Sequence, residues 1–152
     1  MPIRAPQKVK QQRRVLLLAL YLLKHRYNEA NPPKRQVLNF ISLRHLMHVP
    51  ADDSDLRSTG DEIWENDLAW RRADLKTEEF IEGDWQITTK GEAEVESWAR
   101  RVKELTDADP RWTERFKFDP TDDLCDFEFY VTPNTYEWAL KIATGTLNLR
   151  AS

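Results

Sequence analysis

Nine consecutive apolar residues run from Val15 to Leu23, between two basic stretches. Lys24-His25-Arg26 follows the run, where a secretory leader would have a small-residue cleavage site. The run is also far shorter than the roughly 18 residues that a membrane-spanning helix needs. The pattern therefore predicts a buried helix from about Pro6 to Tyr27. Asn31-Pro32-Pro33 ends it, because proline lacks an amide donor and restricts the residue before it.

Helical spacing of apolar residues predicts two further helices in the next part of the chain. One extends from Lys34 to about Met47, with a break near Ser42, and the other from about Gly60 to Glu79. The residues expected to face the core from the third helix are Ile63, Trp64, Leu68, Trp70 and Leu75.

The apolar period then changes to that of short strands. Glu79–Ile81 and Trp85–Thr88, on either side of Glu82-Gly83-Asp84, predict a small β-hairpin. A fourth helix is expected after Gly91, as far as about Leu105. Its expected inward residues are Ala93, Val95, Trp98, Ala99, Val102 and Leu105.

The predicted fold class is mainly α with a small β-hairpin (α+β). The order of three helices, a hairpin and a helix is typical of a winged helix-turn-helix. In that fold the third helix enters the major groove of DNA, and the hairpin, or wing, lies against the flanking backbone. We expect this domain to occupy residues 1–106.

Residues 107–152 are predicted to form an aromatic C-terminal extension. Leu124–Val131 alternates in places like a strand, and a helix is expected from Tyr136 to about Ala143, stopped at Gly145. The extension is too short for a core of its own. It is expected to pack on the winged helix, on a second copy or on a partner.

The composition of the 152 residues fits one folded domain, with 40% hydrophobic and 32% charged residues. A single cysteine, Cys125, excludes an internal disulfide and fits a reducing compartment. With the missing cleavage site and the short apolar run, this predicts a cytoplasmic location without membrane association. Only four glycines are present, so backbone with positive φ is expected to be rare.

Charge is distributed unevenly along the chain. Residues 1–50 contain ten Lys or Arg and one acid, whereas residues 51–152 contain thirteen Lys or Arg and twenty-five acids. A basic first part favours an anionic partner, nucleic acid or a membrane surface. The alternative is that the two parts neutralise each other within one fold.

Two segments resemble a known family. Ile63-Trp64-Glu65-Asn66-Asp67-Leu68-Ala69-Trp70-Arg71-Arg72-Ala73-Asp74-Leu75-Lys76 resembles the third helix of the N-terminal domain of Mrr-type restriction endonucleases, which cut modified DNA. The shared pattern is an apolar pair, Glu-Asn, a Trp four residues after the Asn and a Leu five residues after the Trp. Gly83-Asp84-Trp85-Gln86-Ile87-Thr88, followed by Lys90-Gly91, is similar to the family's Gly-x-Trp-x-Leu-Thr-x-x-Gly. The resemblance covers about Gly60 to Gly91 and implies a winged-helix module from a restriction system.

No enzymatic activity is expected. The 46 residues after residue 106 are too few for the nuclease domain of those enzymes. No catalytic Ser-His-Asp order, glycine-rich phosphate loop or Cys-His dyad stands out. His45 and His48 have metal-ligand spacing, but one such pair without cysteine is more typical of ordinary histidines. We therefore predict no catalytic residue, metal site or cofactor.

The residues expected to contact duplex DNA are Lys34, Arg35, Gln36, Arg44, Arg57, Ser58, Asn66, Arg71, Arg72 and Lys90. The N-terminus of the second helix offers free amides to a phosphate. Asn66 either reads adenine through its amide or bridges the helix to the wing. Arg71 and Arg72 either contact phosphates or form ion pairs with nearby acids. Four tryptophans are expected to be core rather than stacking platforms: Trp64, Trp70, Trp85 and Trp98.

Two hypotheses of function follow. The first is non-catalytic binding of double-stranded DNA. The second is a protein–protein adaptor, as a homodimer or with a separate partner, because Asp61–Glu79 contains seven acids and only three basic residues. A wholly acidic exposed face on the third helix would favour the adaptor. Burial of those acids against Arg13, Arg14 or Arg44 would favour DNA.

Overall fold

Five helices and one two-stranded sheet make up the part of the protein that the computed structural model describes, residues 5–46, 63–108 and 133–147. In chain order these elements are α1 (Ala5–Tyr27), α2 (Lys34–Leu43), α3 (Ile63–Thr77), β1 (Ile81–Glu82), β2 (Gln86–Ile87), α4 (Thr89–Ala108) and α5 (Pro133–Ala143). The strands are antiparallel, with Ile81 opposite Ile87 and Glu82 opposite Gln86. The predicted class, mainly α with a small hairpin, is confirmed.

Helix α1 lies at the centre of the fold. It contacts α2, α3, α4 and β2, so it has neighbours on several sides. Every residue from Val15 to Leu23 is buried, which explains why this segment has no polar face. A fully buried leucine contributes about 1.5–3 kcal/mol, so the run is a major part of the hydrophobic core. Within the described ranges, no helix has the length and apolar character that crossing a bilayer requires.

The ends of α2 and α3 share one backbone motif. At α2, the amide of Leu46 donates to the carbonyl of Ile41 over 3.1 Å, and His45 has a φ of 51°. At α3, the amide of Phe80 donates to the carbonyl of Leu75 over 2.9 Å, and Glu79 has a φ of 67°. These are Schellman caps, in which the residue after the helix is left-handed and the next one packs inward.

The caps confirm the predicted break of the second helix near Ser42. They also correct the expectation that few glycines mean little positive φ. Asn28, His45 and Glu79 all have positive φ, although an L side chain there costs about 1–2 kcal/mol. The capping bonds offset that cost.

The hairpin is joined closely to α4. Thr88 Oγ1 accepts a hydrogen bond from the amide of Gly91 over 3.0 Å and donates one to the Glu79 carbonyl over 2.6 Å. Thr88 therefore caps α4, which begins at Thr89, three residues before the predicted start. The predicted inward residues are buried or half-buried except Ala93, which is exposed, so that prediction was wrong.

Helix α5 packs against α4. The rings of Trp98 and Tyr136 lie 6.0 Å apart, and the buried Thr135 hydroxyl donates to the carbonyl of Leu46 over 2.6 Å. The C-terminal part of the chain therefore contacts the helices that precede it. The expected domain boundary at residue 106 falls in the last turn of α4. The predicted strand over Leu124–Val131 lies outside the described residues, as does Cys125.

Polar contacts join α1 to α4 at the edge of the core. The Tyr21 hydroxyl donates to Glu96 over 2.9 Å, and burial raises the pKa of Tyr21. Lys24 Nζ lies 2.8 Å from Glu92, which also contacts His25. Partial burial works to raise the pKa of Glu92, but the hydrogen bonds from Lys24 and His25 outweigh it and lower that pKa below 4.5.

Glu92 is expected to make the folded protein acid-sensitive. Its pKa is lower in the folded chain, so its stabilising effect is complete above about pH 4.5 and disappears as the pH falls through the folded value. Glu92→Gln is expected to lower the free energy of unfolding near pH 6, with the difference from wild type shrinking towards pH 3. Urea unfolding across that range measures the effect. Exposed Glu94→Gln is the control, and a pH-independent difference for Glu92→Gln would contradict the assignment.

Candidate nucleic-acid interface

Helix α3 has a buried side and an outward side of different character. The buried side consists of Trp64, Leu68 and Leu75. The outward side consists of four residues at positions i, i+4, i+7 and i+11, here called the outer stripe: Asn66, Trp70, Ala73 and Thr77. A spacing of 3.6 residues per turn places these four on one face. The outer stripe carries no charge.

Trp70 is the prominent feature of the outer stripe. Its side chain is 62% exposed, so the prediction that it belongs to the core was wrong. The other tryptophans named as core residues, Trp64, Trp85 and Trp98, are buried. Helical spacing explains the difference, because Trp70 lies about 120–160° around α3 from Trp64, Leu68 and Leu75. This angle follows from the sequence alone, so the spacing already indicates that Trp70 faces away from the core.

The most buried acid of α3 is held by a cation from α2. Glu65 is only 7% exposed, and its carboxylate lies 2.5 Å from Nη1 of Arg35. The Arg35 side chain is 57% exposed. Arg35, expected to contact phosphate, therefore joins the first turn of α2 to the first turn of α3.

Removing Arg35 is expected to affect stability. Arg35→Ala takes a partner from a buried carboxylate and is expected to cost about 1–3 kcal/mol of unfolding free energy. Adding Glu65→Gln to that variant removes the buried charge and should restore part of the loss. Chemical denaturation of wild type and both variants measures this. A double variant less stable than Arg35→Ala would contradict a role for Arg35 in neutralising Glu65.

Two other acids of α3, and Glu78 just after it, also have partners within the fold. Glu78 pairs with Arg13 of α1, and the hydrogen bond from Arg13 lowers the pKa of Glu78. Gln12 Nε2 donates to Asp67 over 3.3 Å. Arg71 Nε lies 3.1 Å from Asp74 on the same helix. Asp61 and Glu62 are outside the described residues.

Arg72 attaches the hairpin to α3. Its guanidinium donates to the backbone carbonyls of Gly83 and Asp84, lies 3.7 Å from the Asp84 carboxylate and sits 5.4 Å over the Trp85 ring. Gly83 has a φ of 58° at the turn, where glycine is favoured. Arg72, predicted as a DNA contact, therefore positions the tip of the hairpin.

Two lysines flank the C-terminal end of α3. Lys90 Nζ donates to the Glu78 carbonyl over 2.9 Å and lies 5.0 Å over the Phe80 ring. Lys76 is exposed and, within the described ranges, forms no ion pair. It lies one helical turn after Arg72, so it borders the outer stripe on the hairpin side. Lys76 was missed as a candidate, although its spacing from Arg72 indicates its position.

The remaining predicted residues lie on or near α2. Lys34 and Gln36 are in its first turn, which contains no acid and whose N-cap, Pro33, makes no side-chain capping bond. Arg44 caps the other end and stacks over Tyr27 and Phe40, at 5.3 and 5.7 Å. The structure thus places Lys34, Arg35 and Gln36 in the first turn of α2, with Arg35 bonded to α3, and Arg44 at the far end of α2. Arg57 and Ser58 lie outside the described residues.

Comparison with protein-family models, with curated proteins and with solved structures gives no match in any of the three. No relative therefore supplies a function for this surface.

Proposed function

We propose that the protein binds double-stranded DNA without catalysis, as a winged-helix module in which α3 enters the major groove and the hairpin is the wing. The element order supports this arrangement, as do the contacts of α3 with α1 and with β1. A groove about 12 Å wide accepts one helix with its side chains. The link to restriction systems and the cytoplasmic location belong to the same proposal and depend on the sequence resemblance and the single cysteine.

The observation that carries the proposal is the uncharged outer stripe of α3. The segment has an excess of acids, which would repel phosphates if they covered its exposed face. Instead, Glu65, Asp67, Asp74 and Glu78 are engaged by groups of α1, α2 or α3 itself. Glu78 pairs with Arg13, one of the arginines that the sequence named, but its side chain is 46% exposed, so this acid is paired rather than buried.

Cations lie near both ends of the outer stripe. Arg35 is close to the start of α3 through its bond to Glu65, and Lys34 precedes it in the first turn of α2. Lys76 and Lys90 are close to the end of α3. Residues 65 and 76 are about 16 Å apart along a helix axis. This separation exceeds the width of the major groove, so the cations are suited to phosphates at its two edges.

Fluorescence anisotropy with a labelled duplex of about 20 base pairs tests the proposal across a range of salt concentrations. We expect the logarithm of the binding constant to fall with the logarithm of salt with a slope of about −3 or steeper, since at least three cations flank the outer stripe. A protein that does not bind the duplex even at low salt would contradict the proposal.

The second candidate is the protein–protein adaptor. It is favoured by the two large hydrophobic side chains that are exposed among the described residues, Trp70 at 62% and Leu43 at 77%. Light scattering after size-exclusion chromatography tests the homodimer form. A dimer that is lost in Trp70→Ala, with no duplex binding, would support the adaptor.

A further inference from the structure

We propose that Asn66 and Trp70 select the base sequence of the DNA site, with the Asn66 amide on an adenine and the Trp70 indole against the methyl group of a nearby thymine. This inference rests on the proposed function and adds a base preference to it. Its basis is the juxtaposition of a free amide and an exposed indole on the uncharged face of α3.

Both side chains are available to a ligand. Within the described part of the chain, the Asn66 amide has no hydrogen-bond partner and Trp70 makes no aromatic or cation–π contact. Asn66 is half-buried, and Trp70 is 62% exposed. A partner that covers an exposed indole removes a large apolar surface from water, and this favours binding.

The chemistry of the two groups fits base edges better than phosphates. Neither carries a charge, so neither gains from the phosphate backbone as the flanking lysines do. The asparagine NH2 group can donate to N7 of adenine in the major groove, while the amide oxygen accepts from the adenine amino group. Thymine presents a methyl group there, which is recognised by apolar contact.

The spacing of the two groups fits neighbouring base pairs. Four residues rise about 6 Å along a helix, and base pairs are stacked about 3.4 Å apart. Asn66 and Trp70 therefore fit base pairs one or two steps apart. Ala73 continues the outer stripe with a methyl group and leaves room for the indole.

Selection of bound duplexes from a random library tests the preference, with wild type and with Asn66→Ala, Trp70→Ala and Leu43→Ala. Leu43 is the matched control, because it is the other exposed large apolar residue and lies on α2. We expect the wild-type pool to contain a fixed adenine and a fixed thymine one or two steps away. Asn66→Ala should lose the adenine, Trp70→Ala the thymine, and Leu43→Ala neither.

Replacing the selected thymidine by deoxyuridine removes only the methyl group of the base. We expect this change to weaken wild type about five- to tenfold and Trp70→Ala hardly at all. Adenine replaced by another base should weaken wild type on the order of ten- to a hundredfold. Circular dichroism and thermal unfolding check that the variants are folded.

The outcomes distinguish the proposed base contacts from the proposed binding of duplex DNA. Pools with a sequence preference that neither Asn66→Ala nor Trp70→Ala changes would overturn the base contacts and leave DNA binding intact. Pools without any preference would also overturn the base contacts. A wild-type protein that retains no duplex at all would overturn the proposed function and the base contacts together.

Discussion

Replacing Lys34, Lys76 and Lys90 with alanine together is expected to weaken duplex binding on the order of a hundredfold at about 0.15 M salt. Each phosphate contact releases counterions, which makes it worth about five- to sixfold at that salt concentration. The same variant should reduce the slope of the logarithmic salt dependence by about three. Anisotropy titrations of wild type and variant at several salt concentrations measure both quantities.

The matched control removes the same number of charges elsewhere. Arg100 and Arg101 are exposed on α4, and Lys141 is exposed on α5. Their triple alanine variant has the same net charge as the Lys34, Lys76 and Lys90 variant but leaves the ends of α3 unchanged. We expect it to lose less than about fivefold in affinity, through long-range attraction alone. Equal losses in the two variants would mean that net charge, and not this surface, attracts the DNA.

Gly91→Ala is expected to destabilise the fold by about 1–3 kcal/mol or more. A β-carbon at Gly91 would lie 2.4 Å from the carbonyl oxygen of Phe80 and 2.8 Å from Cγ1 of Ile87. Both atoms belong to the hairpin region, and the Phe80 carbonyl also accepts the amide of Thr88 over 3.0 Å. The backbone must therefore shift to make room.

The sign of this effect is diagnostic. At an open position inside a helix, replacing glycine by alanine stabilises by about 1 kcal/mol. Thermal unfolding compares Gly91→Ala with Glu94→Ala, an exposed change on the same helix that should stay within about 0.5 kcal/mol of wild type. Each kcal/mol should lower Tm by about 2–4 °C. A Gly91→Ala protein as stable as wild type would show that the hairpin does not approach the start of α4 so closely.

Local patterns were enough to predict most of the architecture. The apolar run Val15–Leu23, the proline pair after Asn31 and the glycine at position 83 indicate a helix, its end and a turn, and each is confirmed. Such signals depend on near neighbours in the chain. The Schellman caps at His45 and Glu79 were missed, because neither position holds glycine or asparagine, the residues that usually mark such a cap.

The charge pattern of α3 could not be interpreted from the sequence in the same way. Arg35 and Glu65 are 30 positions apart, and Arg13 and Glu78 are 65 apart, so the tertiary arrangement alone brings them together. Summing the charges of the segment therefore overstated how acidic its exposed face is. Trp70 is a different case, since helical spacing already separates it from the buried residues, and the general preference of tryptophan for cores misled the prediction.

The most direct test of an α3 interface observes Trp70 in the wild-type protein. Two-dimensional ¹H–¹⁵N NMR gives one indole signal for each tryptophan, and Trp70→Phe assigns the signal of Trp70. On titration with duplex DNA, we expect the Trp70 signal to shift or broaden strongly, while those of the buried Trp64 and Trp98 change little. Binding that leaves the Trp70 signal in place would contradict the account, because the DNA would then contact a surface other than the outer stripe of α3.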